Sequence, residues 1–525
     1  MIQIIGAGLA GLSAAIHLAE RNIPCNLFSL QPSERAQSVL AEGGINAALD
    51  TMGEGDAPAL HFADTMRGGG YLADENAVRD LTEAAPAILR RLIALGVPFH
   101  MKNGVPVLRN FGGQKKKRTA YAFSSTGKII MTALIQEARK HEAAGLIRRF
   151  PHHAFIRLLT EECSCRGVRI RDAYTGALTD HFGSVILCSG GMNGVFPGMT
   201  TGTSQNSGDV TAAVFAQGVR LGNPEMLQYH PTTIGIPGKR CLVTEAARGE
   251  GGRLYILRNG RPWYFMEEKY PELGNLMPRD VVAREMFFVR QMPECGDEVY
   301  LDMTGLSDAI WQTKLADLRD ELMRYLGSDP KTEPVPVHEG IHYFMGGIDA
   351  DIRHGTNLSG LYAAGECCCQ YHGANRLGGN SMLGAVYGGG IAAESAAAQS
   401  DDGLPPQPAD SSDPFAADAE PQLIRQISAI LLDGLGIVRS APQLADALDR
   451  LHRLAEQAEY SVPEQNRLLL AKAMLLAADA RKESRGAHFR SDYPQTDPAY
   501  RKTTAAECSG GTVHIRFRDL PEVQA

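Results

Sequence analysis

Six residues near the start of the chain, Gly6-Ala7-Gly8-Leu9-Ala10-Gly11, restrict its opening architecture more than any other feature. They follow a short apolar run, Ile2–Ile5, and precede a helical pattern, Leu12–Glu20, after which Cys25–Leu30 reads as a second strand. Strand, glycine turn, helix, strand is the start of a dinucleotide-binding unit. Gly6 permits the tight turn, Gly8 lets the backbone approach a pyrophosphate, and Gly11 allows the helix to pack closely. The helix N-terminus then offers unpaired N–H groups and a positive dipole end to the phosphates. The acidic residue that usually binds a ribose at the end of the second strand is missing, and Ser29 stands there. That disfavours NAD and leaves FAD open.

Two later glycine sites fit FAD. Ser189-Gly190-Gly191 follows the apolar run Val185–Cys188, as a second backbone approach to the cofactor would. Gly365-Glu366 follows Gly360–Ala364, and Glu366 suits flavin ribityl hydroxyls. Taken singly, each is also an ordinary turn.

A chain of 525 residues exceeds one ordinary core, so two to four domains are expected. Glycine-rich chain at 42–72 leads to helical patterns at 75–95 and 126–142 and a β-rich stretch at 147–188. Residues 223–341 change style, with short strands and helical runs at 279–291 and 307–326. They read as a capping domain inserted into an FAD-binding domain formed by 1–222 and 342–400. Residues 400–419 have linker composition. Amphipathic patterns at 420–457 and 463–482 make 415–525 a C-terminal helical domain, ending in a short strand at 512–517. The fold class is α/β: a Rossmann-like FAD-binding domain, an inserted α+β cap and a helical C-terminal part.

Net charge of −8 argues against non-specific binding of nucleic acid or anionic membrane. No run of about 18 apolar residues occurs, so no direct membrane span is expected. Ten cysteines without a CxxC pair suggest reduced thiols in a cytoplasm and no metal or cluster site. Cys367-Cys368-Cys369 reads as small core residues. His338-Glu339-Gly340-Ile341-His342 spells HExxH, which binds zinc only on a helix. Pro334, Pro336, Gly340, Gly346 and Gly347 make a helix there improbable.

Polar residues recur in compact motifs that packing does not require: His230 in QYHPT; Thr244, Glu245 and Arg248 in VTEAARGEGG; Arg279 in MPRDVVAR; His342 in HYFMGG; Arg376 in HGANRLGGNS. Arginine binds carboxylates bidentately, so this set suits a dicarboxylate. A structural ion pair is the ordinary alternative for Arg248, beside Glu250, and for Arg279, beside Asp280.

Together these motifs resemble the flavoprotein subunit of fumarate reductase and succinate dehydrogenase, and its relative L-aspartate oxidase. The likeness runs through GAGLAGLSAA, AEGGINAAL, FGGQKKKRTAYA, QYHPT, TEAARGEGG, PRDVVAR, HYFMGG, GLYAAGE, HGANRLGGNS and ESRGAHFRSDYP. The resemblance implies hydride exchange between flavin N5 and a four-carbon dicarboxylate, fumarate/succinate, in a site between cap and flavin. His230, Thr244, His342 and Arg376 would hold the substrate. Arg279 would protonate an alkene carbon, with Glu245 and Arg248 relaying protons to it. Gly6, Gly8, Gly11, Ser29, Ser38, Gly43, Gly44, Gly190, Gly191, Asp209, Glu366, Asn380, Ser381 and Leu383 would contact FAD. Asn380 and Ser381 would open a helix facing the flavin pyrimidine. An iron–sulfur subunit would be the expected electron partner, which would make the chain cytoplasmic or peripheral at the inner face of a membrane.

The chain departs from the family at three points. Where many members attach FAD through histidine in SHTVxAxGG, this sequence reads Ala36 to Gly44 with Gln37 in place of the histidine. Non-covalent FAD is therefore expected, with alkene reduction favoured. Phe111 stands where L-aspartate oxidases carry a glutamate, which disfavours oxidation of L-aspartate to iminoaspartate. The stretch from Gly365 to His372 is one residue shorter than usual, leaving another unsaturated acid open. A flavin-binding subunit with a decayed site is a third reading, opposed by the intact set from His230 to Arg376.

Overall fold

A computed structural model describes residues 1–122, 125–399, 404–410 and 413–523. The opening unit forms as the glycines require. Five parallel strands make one sheet in the order Leu361–Ala363, Val185–Leu187, Ile2–Ile5, Cys25–Ser29, Ile147–Pro151. Ile2–Ile5 is buried throughout, as expected of a central parallel strand. Gly6 has φ +110°, and a Cβ there would lie 2.1 Å from the carbonyl oxygen of Cys188, so no other residue fits. The helix Leu9–Ala19 packs against Asn380–Ala397. Gly389 lets them approach closely, since a Cβ there would meet the carbonyl oxygen of Ala10 at 2.3 Å.

A six-stranded antiparallel sheet orders Lys239–Leu242, Leu227–Ile236, Val335–Phe344, Cys295–Asp302, Arg253–Arg258 and Arg261–Trp263. It carries its own core, including Leu254, Val299, Leu301 and Trp311. The helix Arg279–Arg290 lies where the sequence pattern puts it. The 307–326 pattern forms two helices, Asp308–Thr313 and Ala316–Leu326, which pack on each other. HExxH lies in the strand Val335–Phe344, not on a helix. His338 faces Glu298, and Glu339 is buried against Arg290.

The C-terminal pattern at 420–457 divides into Pro421–Gly434 and Ala441–Glu456, and Val462–Ala480 follows. The end of the chain is more β than its sequence suggests. Lys502–Ser509 and Thr512–Asp519 form a hairpin, and its first strand pairs with Leu221–Gly222. Linker composition also misleads. Of residues 400–419, positions 400–403 and 411–412 lie outside the described residues. In the remainder, Gln407–Pro408 pairs with Leu178–Phe182 and Asp413 bonds two arginines. All ten cysteines are free, and Cys367 and Cys368 are buried in the core. Among the described residues, no helix is long and apolar enough to cross a membrane.

Candidate active site

A cavity of about 470 Å³ runs past the glycine turn, within the range of roughly 300–1,000 Å³ usual for cofactor and ligand sites. Gly6, Gly8, Ser29, Ser38, Gly43, Gly44, Gly190, Gly191, Asp209, Glu366 and Ser381 all line it. The first helix points its N-terminus there with no side-chain cap from Gly8; the Leu9 N–H donates to Ser38 Oγ at 3.1 Å. Glu366 accepts the Phe344 N–H at 3.1 Å. Burial raises its carboxyl to about 7, against the lowering effects of that hydrogen bond and of Arg376. A glycine-lined approach, a free helix N-terminus and a recessed carboxylate fit the phosphates and hydroxyls of FAD.

Three expected cofactor residues lie outside the lining. Gly11 is a packing residue: a Cβ would meet the Gly6 carbonyl oxygen at 1.8 Å. Leu383 is fully buried in the hydrophobic core, on a helix face turned from the cavity. The Asn380 side chain accepts from Asn46 at 2.6 Å, bonds His61 at 2.9 Å and donates to Thr65 at 3.0 Å. It is the hub of a polar network behind the helix start, so Gly379, Ser381 and Met382 face the cavity instead.

His230, Thr244, Glu245, Arg279, His342 and Arg376 converge at one end of this cavity from five separate segments. His230 and His342 come from neighbouring strands, with ring centroids 5.1 Å apart. Pro231, without an N–H to donate, lies within the strand Leu227–Ile236, and the register shifts on both sides of His230. Such irregularities re-aim side chains beside active sites. His230 Nε2 is buried without a hydrogen-bond partner, while His342 Nδ1 bonds Thr201 Oγ1 at 2.7 Å. Burial, reinforced by Arg279, holds both imidazoles well below the usual histidine range, so both are neutral at pH 7. They would act as hydrogen-bonding groups rather than cations.

Arg279 occupies the first turn of its helix, after Pro278. A cation at the positive end of a helix opposes the dipole, so helix stability does not explain it. It is held instead by Glu245, whose Oε2 accepts from Nε at 2.9 Å and from Nη2 at 2.6 Å. Glu245 Oε1 accepts the Gly112 N–H at 2.9 Å and lies 3.6 Å from Arg248. Burial pushes the Glu245 carboxyl up, but Arg279 and Arg248 outweigh it and hold it at about 2. Arg248 lies behind Glu245, off the cavity lining, and donates to Asn275 O at 2.6 Å. Burial lowers the Arg376 guanidinium to about 9, helped by Arg279.

The sequence reading misses Gln228. Its Oε1 accepts from Arg279 Nη1 at 3.0 Å and from Arg376 Nη2 at 3.3 Å. Its Nε2 donates to Asn375 Oδ1 at 2.7 Å and Arg376 O at 2.8 Å. Strand periodicity carries the missing signal, because position 228 shares a face with His230. Tyr343 is missed as well: it lines the cavity, and the Arg376 guanidinium lies 4.5 Å from its ring centroid.

Comparison with known proteins identifies the family. The FAD binding domain family matches residues 2–382, and the fumarate reductase flavoprotein C-terminal family matches 462–523. The succinate dehydrogenase flavoprotein subunit of Bacillus subtilis is 36% identical, over 100% of this chain and 95% of its own. An L-aspartate oxidase of Streptomyces coelicolor is 34% identical, over 99% and 94%. The solved flavoprotein of E. coli quinol fumarate reductase superposes with a TM-score of 0.87 at 29% identity, covering 100% of this chain and 97% of that one. The chain belongs to the succinate dehydrogenase/fumarate reductase flavoprotein family and is an FAD-dependent oxidoreductase of that type.

Proposed function

We propose that the enzyme exchanges a hydride with a four-carbon dicarboxylate, the fumarate/succinate pair, and that it favours reduction of the alkene. The observation that carries this reading is the meeting of Arg279 and Arg376 on Gln228, at the cavity end shared by His230, His342 and Thr244. Two guanidinium groups and neutral donors match two carboxylates. Gripping both ends fixes the central carbons and polarises the double bond. Bound FAD would supply the hydride chemistry at N5. Arg279 would hold the proton given to the other alkene carbon, and the contacts from Arg248 through Glu245 would restore it. Arginine is a weak acid, and deprotonation at pH 7 costs roughly 8 kcal/mol. A carbanion-like carbon is basic enough to draw that proton, and the ionised Glu245, within 2.6 Å, would pass on the proton that replaces it from the Arg248 side.

Gln37 supports non-covalent FAD and the reductive direction: it lines the cavity, and its Oε1 accepts the Thr203 N–H at 2.6 Å. Residues 223–341 would cap the site, above an FAD domain of 1–222 and 342–400 and beside a C-terminal domain of 415–525. Electrons would come from an iron–sulfur partner, which would hold the chain at the cytoplasmic face of a membrane. L-aspartate oxidase is the alternative, supported by oxidase relatives at similar identity and opposed by Phe111 in the cavity wall. Anaerobic reduction of the purified flavin, then mixing with fumarate, oxaloacetate or iminoaspartate, tests the substrate class, and rapid reoxidation by fumarate is expected. A separate assay in air tests the alternative, which can itself use fumarate as acceptor: flavin reduction by L-aspartate, with oxygen taking the electrons as hydrogen peroxide, would select the oxidase.

A further inference from the structure

The cavity extends well beyond the substrate cluster. Its far end is lined by Ser29, Phe155 and Arg171 and is covered by Phe415, Asp418 and Ala419, from the segment that composition alone marks as a linker. In a dinucleotide fold the helix N-terminus takes the pyrophosphate and the end of the second strand takes the adenosine ribose. With the hydride chemistry at the Arg279 end, the Ser29 end is where the adenosine half must lie.

That covering segment is built into place. Arg157 and Arg169 are register partners on adjacent strands of a four-stranded sheet, and Arg171 lies two residues beyond Arg169 on the same face. Asp413 meets this basic stripe, accepting from Arg157 Nε at 2.8 Å and Arg169 Nη1 at 2.5 Å, with its side chain only 3% exposed. It also accepts the Phe415 N–H at 2.9 Å, which fixes the turn that presents the Phe415 ring. Arg171 bonds the Ala416 carbonyl and Asp418. Beyond the segment, the Glu420 N–H donates to Glu464, inside the capping box of the helix Val462–Ala480. The segment is thus tied at both ends where it lines the cavity.

We propose that Asp413–Ala419 is a strap that retains the cofactor by its adenosine half: Asp413 latches it to Arg157 and Arg169, and Phe415 gives the purine an apolar wall. A chain with Gln37 in place of a covalent attachment would rely on such a latch, so the inference rests on the non-covalent reading. The test uses the full-length FAD-loaded enzyme and follows flavin fluorescence after dilution. Asp413→Asn and Phe415→Ala should each release FAD at least tenfold faster than wild type. FMN, which lacks the adenosine half, should bind wild type and both variants equally. Phe415→Ala leaves the ion pairs intact and serves if Asp413→Asn does not fold. Unchanged FAD release in the variants, or equal weakening of FMN and FAD, would overturn the strap. Flavin that stays with acid-precipitated protein would also overturn it, and would mark the failure as that of the non-covalent reading.

Discussion

Arg279 and Arg376, from two separate segments of the chain, donate to the same oxygen, Gln228 Oε1, at 3.0 and 3.3 Å. Two buried cations side by side repel, and a shared neutral acceptor sets their spacing without neutralising either. Glu245 compensates one of the three guanidinium charges of Arg248, Arg279 and Arg376, so the cluster keeps a positive potential for a dianion.

Replacing Gln228 by leucine should therefore damage the site without emptying it of flavin. Each buried donor left without its acceptor costs about 1–3 kcal/mol. We expect kcat/KM for fumarate to fall by roughly 10- to 100-fold, with FAD content unchanged. Gln228→Glu restores an acceptor but adds a negative charge beside both arginines, so its loss should fall mainly on KM. Steady-state assays with a reduced dye as donor check both; equal effects of the two variants on kcat and KM would refute a spacing role.

Arg279→Lys tests whether charge alone suffices. Lysine keeps the cation but loses the fork that meets Glu245 at two positions and Gln228 at a third. Loss of a positioned proton donor typically costs roughly 10²–10⁴-fold. We expect turnover to drop in that range while FAD absorbance is retained. Near-normal turnover in the lysine variant would remove Arg279 from proton delivery.

Much of this arrangement was legible in the sequence because local chemistry announces it. Gly6, Gly8 and Gly11 sit between a strand and a helix, and the sheet forms around them as expected. His230, Arg279, His342 and Arg376 stand in motifs that packing does not need, and they meet. Partnership was harder to read. Gln228 looks like any strand glutamine until Arg279 and Arg376 arrive from about 50 and 150 residues away. Asn380 looks like a residue aimed at a ligand, but His61 and Thr65 hold it from behind. The strand Lys502–Ser509 depends on pairing with Leu221–Gly222, nearly 300 residues distant, which no local periodicity can indicate. The linker-like composition of 400–419 hides Asp413, whose arginine partners lie on a sheet about 250 residues earlier.

Glu366 predicts a trade between stability and cofactor binding. Its carboxyl titrates near 7 in the folded protein, against an ordinary value of 4.5. Below about pH 4.5 it is neutral in folded and unfolded chains alike, and the cavity bears no cost. As pH rises through 7 the folded state must hold the charge, and stability is lost, by at most about 3 kcal/mol. FAD-free Glu366→Gln should thus resist urea better than wild type at pH 8 and no better at pH 4.5. It should also bind FAD more weakly, because a carboxylate is the stronger acceptor for ribityl hydroxyls. A variant without a stability gain at pH 8 would show that the carboxylate is not strained.

Gln37 stands where the family resemblance implies a histidine for covalent attachment; it lines the cavity, and its Oε1 is occupied by the Thr203 N–H. An amide nitrogen is a poor nucleophile, and no imidazole is described near it on the cavity wall between Arg35 and Gly44. Denaturing the enzyme in acid should release all of its flavin to the supernatant, with none fluorescing in the protein band of a denaturing gel. Free FAD has a lower potential than flavin joined to histidine, so reduction of fumarate should outrun oxidation of succinate when both are assayed with artificial dyes. Flavin in the pellet, or faster succinate oxidation, would reverse the directional reading while leaving the substrate class intact.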